Sequence, residues 1–477
     1  MERKPNILLI VEDHQAYYGH EQNCEIKRPH YRKLVSKGVD FKRAYCSTPL
    51  CCPSRRSLAT GLYASHHGQI NNQVSAEFTY DTYMDRLKKE GYDIFYYGKW
   101  HAGKGTPADF GAEGVFHGDY GNPYLMPSYQ KYLEDKNLPF PRAFVEHNWC
   151  TPEWISDIME NKEYRLDRET MNECVSGILT TPKETHEAFY LAYEACRKLE
   201  ECRDSQKPFC MRVDFWGPHQ PYFPTKEYAE LYNPEEIGVY PSFHDDLSQK
   251  PDVYHFEGGK GISENYRIIT PNPVAWDVWA ETLARCYAQI TLTDEAGGMI
   301  LDKLDEMGLA EDTLIIWTAD HGDGIACHGG HFDKDAYMAE EVLRIPFGMR
   351  FDGRIPAGED SQALVSNVDL APTVLSAAGT GFSQKVDGLD LLSIWKEGTR
   401  WRKNVYAETF GHHFKHRGWV MADAKYKYVK NNDQIEELYD LEDDPYEMRN
   451  LALDIRYEDI LERKRGELKE FLRMEIG

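Results

Sequence analysis

Short, fully apolar runs alternate along the chain with stretches of helical periodicity. Asn6-Ile7-Leu8-Leu9-Ile10-Val11 has strand length and no polar face, the pattern of a parallel strand covered on both sides. Tyr92 to Tyr97, Phe209 to Phe215 and Thr313 to Thr318 repeat that pattern, and Ile345 to Phe351 and Ala363 to Val368 add two further expected strands. Helices are predicted near Pro29 to Ser36, Tyr80 to Glu90, His186 to Cys202 and Trp279 to Met307, and Asp369 is expected to cap another that runs toward Gly379. This alternation predicts an α/β fold with a large, doubly wound, mostly parallel sheet. The spans from about Gly105 to Pro182 and from Pro218 to Ala275 are aromatic and irregular, and read as elaborated loops.

From about Asp387 the texture changes. Asn404 to Phe410, Trp419 to Ala422, Lys425 to Val429 and Glu437 to Asp440 are short strand candidates separated by turn residues, and Tyr457 to Met474 reads as a terminal helix. The expected division is a catalytic α/β domain over 1–386 and a smaller antiparallel-sheet subdomain with one helix over 387–477.

Polar residues gather where the apolar runs end. Glu12-Asp13-His14 follows the first, Gly98-Lys99-Trp100-His101 the second, Gly217-Pro218-His219-Gln220-Pro221-Tyr222 the third and Asp320-His321-Gly322-Asp323 the fourth. Open α/β sheets hold ligands at these carboxyl ends. Asp13, Asp320 and His321 supply two carboxylates and an imidazole, a plausible set for a divalent metal. Lys99, His101, His219 and Lys334 add cations and donors suited to a tetrahedral anion. Singly, each residue has an ordinary reading as a turn cap, a packing histidine or a solvated lysine; their convergence argues for a site.

Cys51 to Gly61 reads as a loop turning into a short helix. Pro53 suits a first helical position and Gly61 a left-handed stop, so Cys51 is expected just ahead of a helix N-terminus with Arg55 about one turn on. A thiol so placed should be acidic and reactive.

Composition narrows the partners. Over 477 residues the formal charge is −24, which argues against general affinity for nucleic acid. No apolar run reaches membrane-spanning length, and 11 scattered cysteines, an odd number, argue against a disulfide framework. No long apolar leader precedes Asn6, so the expected location is the cytoplasm. The oligomeric state is not legible in the sequence.

Cys51-X-Pro53-Ser54-Arg55, closed by Thr60-Gly61, resembles the signature of the type I sulfatases of the alkaline phosphatase superfamily. Gly98-Lys99-Trp100-His101, Pro218-His219-X-Pro221-Tyr222, and Lys334 ahead of Tyr337 and Glu340-Glu341 fit the same family, as does Glu437 to Pro445 with Asn450-Leu451-Ala452. The resemblance implies that a maturation enzyme reads Pro53, Ser54 and Arg55 and oxidises Cys51 to formylglycine. It implies one divalent metal held by Asp13, Cys51, Asp320 and His321, with calcium expected and manganese the alternative. His14 stands where many sulfatases have a second Asp, and is a further candidate ligand; many also have Asn where His321 stands. Arg55, Lys99, His101, His219 and Lys334 would surround the transferred group, Asp320 is a candidate base, and His219 or Lys334 the acid. Asn72 falls near a position where relatives carry a polar residue, although a turn residue explains it as well.

The activity this resemblance implies is hydrolysis of sulfate monoesters, with a small sulfated, glycosaminoglycan-derived carbohydrate as the expected substrate. The alternative is a phosphonate monoester or phosphodiester hydrolase with the same nucleophile, favoured by His14 and the Asp320-His321 pair. Lys99 and His101, which phosphonate monoester hydrolases tend to lack, weigh against it. A non-catalytic protein that binds sulfated glycans is the reading from another class.

Overall fold

The computed structural model describes residues 4–17, 24–118, 121–148, 163–167, 175–257, 262–264, 267–270, 274–331, 333–334, 336–412 and 415–476. In chain order the first strands are β1 (Asn6–Asp13), β2 (Val39–Tyr45), β3 (Asp93–Lys99), β4 (Ala112–His117), β5 (Arg142–Asn148), β6 (Glu163–Arg165) and β7 (Val175–Leu179). They are followed by β8 (Phe209–Pro218), β9 (Ile262–Glu264), β10 (Arg267–Thr270), β11 (Thr313–Ala319), β12 (Phe347–Arg350) and β13 (Glu359–Ser366). The last four are β14 (Val405–Gly411), β15 (Lys415–Ala422), β16 (Tyr426–Asn431) and β17 (Glu437–Asp440). The principal helices are α1 (Pro29–Ser36), α2 (Cys51–Thr60), α3 (Tyr83–Lys89), α4 (Pro127–Lys136), α5 (Glu187–Cys202), α6 (Trp276–Glu306), α7 (Leu370–Ala377) and α8 (Glu458–Ile476).

Eight strands form the central sheet in the order β13-β2-β12-β11-β1-β8-β3-β4. Every neighbouring pair is parallel except those made by β12, which runs antiparallel to both β11 and β2. The alternation of side chains explains why the central strands carry no polar face. Leu8, Ile10, Met211, Val213, Ile315 and Trp317 pack under α1, α5 and α6. Ile7, Leu9, Leu314 and Ile316 face the opposite way, toward Leu58 and Ala59 of α2 and Val374 of α7. Both faces are therefore dry, as a parallel sheet requires.

Several expectations need correction. β2 lies outside the expected strands, because Val39-Asp40-Phe41-Lys42-Arg43-Ala44-Tyr45 is interrupted by charge; it pairs with β12 and β13 near the sheet's edge. The span read as irregular before Pro182 holds β4, α4 and the three-stranded sheet β6-β5-β7, although 149–162 and 168–174 lie outside the described residues. Asp369 does not cap α7. Its carboxylate turns back to accept the N–H of Ser366 and of Leu389.

The C-terminal strands form the antiparallel sheet β14-β15-β16-β17, with Met421, Tyr428 and Leu438 packed against Leu461 and Leu468 of α8. Lys427 projects from β16 and is fully buried between Glu340 and Glu447, 3.3 and 2.7 Å away. Among the described residues no helix is long and apolar enough to cross a membrane.

Gly98 shows how tightly the sheet sets its site. Its φ of 102° lies in the left-handed region, and an added Cβ would stand 1.9 Å from the Asp214 carbonyl oxygen. A side chain there must part β3 from β8 and carry Lys99 with it. Gly98→Ala is expected to cost about 3 kcal/mol, measured by urea unfolding, and to lower activity; unchanged stability would contradict this geometry.

Candidate active site

Adjacent strands β11, β1, β8 and β3 end side by side, and each delivers part of one buried constellation. Asp13 ends β1, Lys99 ends β3, His219 follows β8, and Asp320 and His321 follow β11. Helix α2 points its N-terminus at the same place. It begins at Cys51 itself rather than at Pro53, and Gly61 ends it at φ 70°, the expected left-handed stop. Pro53 is tolerated in this first turn because its missing N–H has no intrahelical partner to lose. Asn72, half-buried, accepts the Cys52 N–H at 3.1 Å, so it satisfies one of the free donors of that helix end.

Arg55 binds these parts together. Its guanidinium reaches Asp320 Oδ2 at 2.9 Å, Asp214 Oδ2 at 2.8 Å, Asp13 Oδ1 at 3.6 Å and the Lys99 carbonyl oxygen at 3.0 Å. Asp214 also takes a two-pronged contact from Arg212, at 2.6 and 2.7 Å, and the Tyr96 hydroxyl donates to it at 2.8 Å. Lys99, with no exposed surface, lies against Asp13 Oδ2. Within this core, Asp13, Asp214 and Asp320 are balanced by Arg55, Arg212 and Lys99. Asp214 and Arg212 are not among the residues singled out from the sequence; two opposite charges two residues apart in an otherwise apolar strand are the available signal.

One group of buried donors remains directed inward. Atoms of Asp13, Cys51, Asp320 and His321 lie within 4.8 Å of one another. Cys51 Sγ is 3.1 Å from His321 Nε2 and 3.7 Å from Asp13 Oδ1. His321 Nδ1 bonds the Gly322 carbonyl at 2.8 Å, which fixes the tautomer with a lone pair on Nε2. Each carboxylate has one oxygen engaged by Arg55 or Lys99 and its other oxygen near the cluster. Hard carboxylate oxygens with one imidazole suit a divalent cation. Asp320 Oδ1 also accepts the N–H of His14 and of His321, at 3.0 and 2.8 Å. Both Asp320 oxygens thus accept hydrogen bonds, which fixes this carboxylate beside Cys51 and His321.

The expected acidic thiol is corrected too. Burial pushes Cys51 up to about 12, and Asp13 and Asp320 add to this, while Lys334 and Lys99 pull it down. Asp13 goes the other way: despite burial, Lys99, Arg55 and nearby histidines hold it well below the usual carboxylate range.

On the remaining side, Lys334 Nζ stands 3.2 Å from His219 Nε2 and 2.9 Å from Asp333 Oδ1. His219 Nδ1 bonds the Gln220 carbonyl at 2.7 Å, and burial together with Lys334 lowers its pKa to about 3, so the ring is neutral. His101 is half-buried, and burial together with Lys99 and Arg55 keeps it neutral as well. His14 falls outside the inward-facing donor group. Its Nε2 is 3.2 Å from Asp333 Oδ1 and 3.5 Å from Asp323 Oδ1. Asp333, Asp323, Glu187 and Gln289 carry no role assigned from sequence. Gln289 accepts the Phe223 N–H at 2.7 Å and donates to the His219 carbonyl at 3.1 Å, and Glu187 accepts the Gly217 N–H at 3.1 Å.

These environments have measurable consequences. In unconverted protein at pH 8, iodoacetamide should label half-buried Cys24 well before Cys51, read by peptide mass; faster labelling of Cys51 would restore the acidic thiol. Burial raises Glu187 from 4.5 to about 8, so its neutral form is the one the fold favours. Stability is then lost as pH rises from 4.5 toward 8, and Glu187→Gln should gain on the parent by about 1.4 kcal/mol per pH unit across that window in urea unfolding. A difference independent of pH would contradict it.

The sequence pattern of the family described as Sulfatase matches residues 5–380, and that of the C-terminal region of N-sulphoglucosamine sulphohydrolase matches residues 327–474. The uncharacterized sulfatase YidJ of Escherichia coli (strain K12) is 28% identical, over 98% of this chain and 87% of its own. The crystal structure of the phosphonate monoester hydrolase of Agrobacterium radiobacter is similar at a TM-score of 0.78 and 20% identity, covering 98% of this chain and 96% of that one. A second solved structure, in complex with its substrate D-glucosamine-2-N,6-O-disulfate, gives a TM-score of 0.71 at 20% identity over 98% of each chain. These structural likenesses establish a shared fold. With the family pattern running through every strand end described above, the chain belongs to the sulfatase family, the sulfuric ester hydrolases that use a metal ion and a formylglycine.

Proposed function

We propose that this sulfatase hydrolyses the sulfate monoester of a small sulfated carbohydrate, with Cys51 acting as formylglycine. The observation that carries this reading is the buried cluster of Asp13, Cys51, Asp320 and His321, with one buried ammonium, Lys99, against Asp13 and a second, Lys334, against His219. A sulfate monoester presents three non-bridging oxygens and needs such donors on all sides. The structure bound to a glucosamine disulfate shares the fold across nearly the whole chain and supports a sugar as leaving group.

Asp13, Asp320, His321 and the converted Cys51 would hold the divalent ion, calcium on the hardness of two carboxylates, with manganese accommodated by the imidazole. When bound, the ion supplies charge that steadies the sulfate oxygens and the nucleophile's hydroxyl. The formylglycine hydrate would supply one hydroxyl as nucleophile toward sulfur, the S–O bond to the alcohol breaking, and a second hydroxyl whose loss of a proton lets the C–O bond to sulfate break and the aldehyde re-form.

The chain's own residues do the remaining work. Asp13 and Asp320 are the carboxylates grouped with Cys51, Asp13 Oδ1 3.7 Å from its side-chain atom, and the acceptor for the attacking hydroxyl's proton is drawn from this pair. Lys99 and the guanidinium of Arg55 keep Asp13 and Asp320 ionised and fixed. His219 is neutral with its Nε2 turned to Lys334, so the proton for the departing alcohol is carried on the Lys334 ammonium and His219 orients it. His101, half-buried two residues beyond Lys99, can meet the substrate.

Phosphonate monoester or phosphodiester hydrolysis is the second reading, favoured by the likeness to the phosphonate monoester hydrolase. The test compares kcat/KM of the matured enzyme for a sulfated hexosamine and for a phosphodiester. Sulfate turnover at least about 100-fold faster supports the proposal; the reverse order overturns it. Lys334→Ala should slow a sugar sulfate about 100-fold or more while sparing an activated aryl sulfate, because only the poor leaving group needs the proton.

A further inference from the structure

His14 occupies a position from which a ligand is expected, directly after Asp13, yet its ring leaves the metal cluster. Its φ is 69°, in the left-handed region. That conformation directs its N–H to Asp320 Oδ1 at 3.0 Å and swings the imidazole across to the substrate-side residues. There the ring centroid lies 4.8 Å from that of His219 and 4.9 Å from that of His321, and Nε2 approaches Asp333 Oδ1 at 3.2 Å. Ligand-capable atoms consequently fall into separate groups: Asp13, Cys51, Asp320 and His321 in one, and His14, His219 and Asp333 in another.

The second group already contains a cation. Lys334 Nζ stands 2.9 Å from Asp333 Oδ1 and 3.2 Å from His219 Nε2, so a metal there would have to displace the ammonium. Asp333 is itself left-handed, at φ 77°. Two non-glycine residues in this region cost about 1–3 kcal/mol each unless their surroundings impose the conformation. Here they face one another across a single carboxylate oxygen that both His14 and Lys334 approach.

We propose that His14 is not a metal ligand but a positioning residue, which with Asp333 forms the seat that holds the Lys334 ammonium against His219. Asp323 closes the seat from behind, 3.5 Å from His14 Nε2 and fixed by the Tyr222 hydroxyl at 2.9 Å. The imidazole acts by packing, since neither of its ring nitrogens hydrogen-bonds among the described residues; without it the Asp333 carboxylate loses the ring set against it and the ammonium loses its fixed distance to the departing oxygen. The metal ligands keep theirs. This inference rests on the reading of Lys334 as proton carrier, but its metal arm is independent of that reading.

The test uses matured holoenzyme with His14→Asn, since Asn tolerates the left-handed conformation, and Asp333→Asn as the second variant. Metal affinity is measured by chelator competition, and kcat and KM by turnover of a sugar sulfate and an activated aryl sulfate. The expected result is one metal per chain with affinity within about 2-fold of the parent in both variants. The kcat for the sugar sulfate should fall about 30-fold or more, with KM little changed and the aryl sulfate much less affected. Metal affinity lowered about 10-fold or more in His14→Asn would make His14 a ligand and overturn the proposal. So would a second metal equivalent in the parent that His14→Asn loses, or equal slowing of both substrates, which marks a merely structural role. If Lys334→Ala slows both substrates equally, the proton-carrier reading fails by itself, and the metal measurement still decides the placement of His14.

Discussion

The active centre depends on one buried guanidinium. Arg55, fully enclosed, ties the first turns of α2 to the ends of β1, β8 and β11 through three carboxylates and to β3 through a carbonyl. A lone charge there would cost several kcal/mol to desolvate, and removing one partner of a buried pair typically costs about 3–5 kcal/mol. The arrangement is therefore all or nothing: strand ends, nucleophile helix and guanidinium are fixed together or not at all. Lysine has a single ammonium in place of the planar fork and could not reach the same partners at once.

This balance also explains how a chain of net charge −24 receives an anionic substrate. Asp13, Asp214 and Asp320 are neutralised locally by Arg55, Arg212 and Lys99, and Asp333 by Lys334. A divalent ion added to that neutral core leaves the pocket positive inside an acidic protein. Low surrounding dielectric makes this local charge count for more than the distant surface, which salt screens. The same burial that sharpens these contacts raises the Cys51 thiol.

Much of this is legible in the sequence because the central strands are buried on both faces and their polar ends stand out. Asp13, Lys99, His219, Asp320 and His321 are found that way, and the structure brings them together with Cys51, Arg55, His101 and Lys334. Local pattern fails where tertiary context decides. β2 is broken by charges that read as loop, and nothing local shows that β12 reverses direction. The helix N-terminus suggests an acidic thiol, but burial beside two carboxylates is a property of the folded site. That the two oxygens of Asp320 are engaged by Arg55 and two backbone N–H groups is likewise visible only in the folded site. His14 follows Asp13 in sequence, and only its positive φ reveals that it serves the other side of the pocket.

The measurement that bears most directly on the role of Cys51 is the mass of its peptide, taken beside sulfate monoester turnover on preparations converted to different extents. The expected result is an aldehyde in place of the thiol, with turnover rising in proportion to the aldehyde fraction. Full activity in protein whose Cys51 remains a thiol would contradict it.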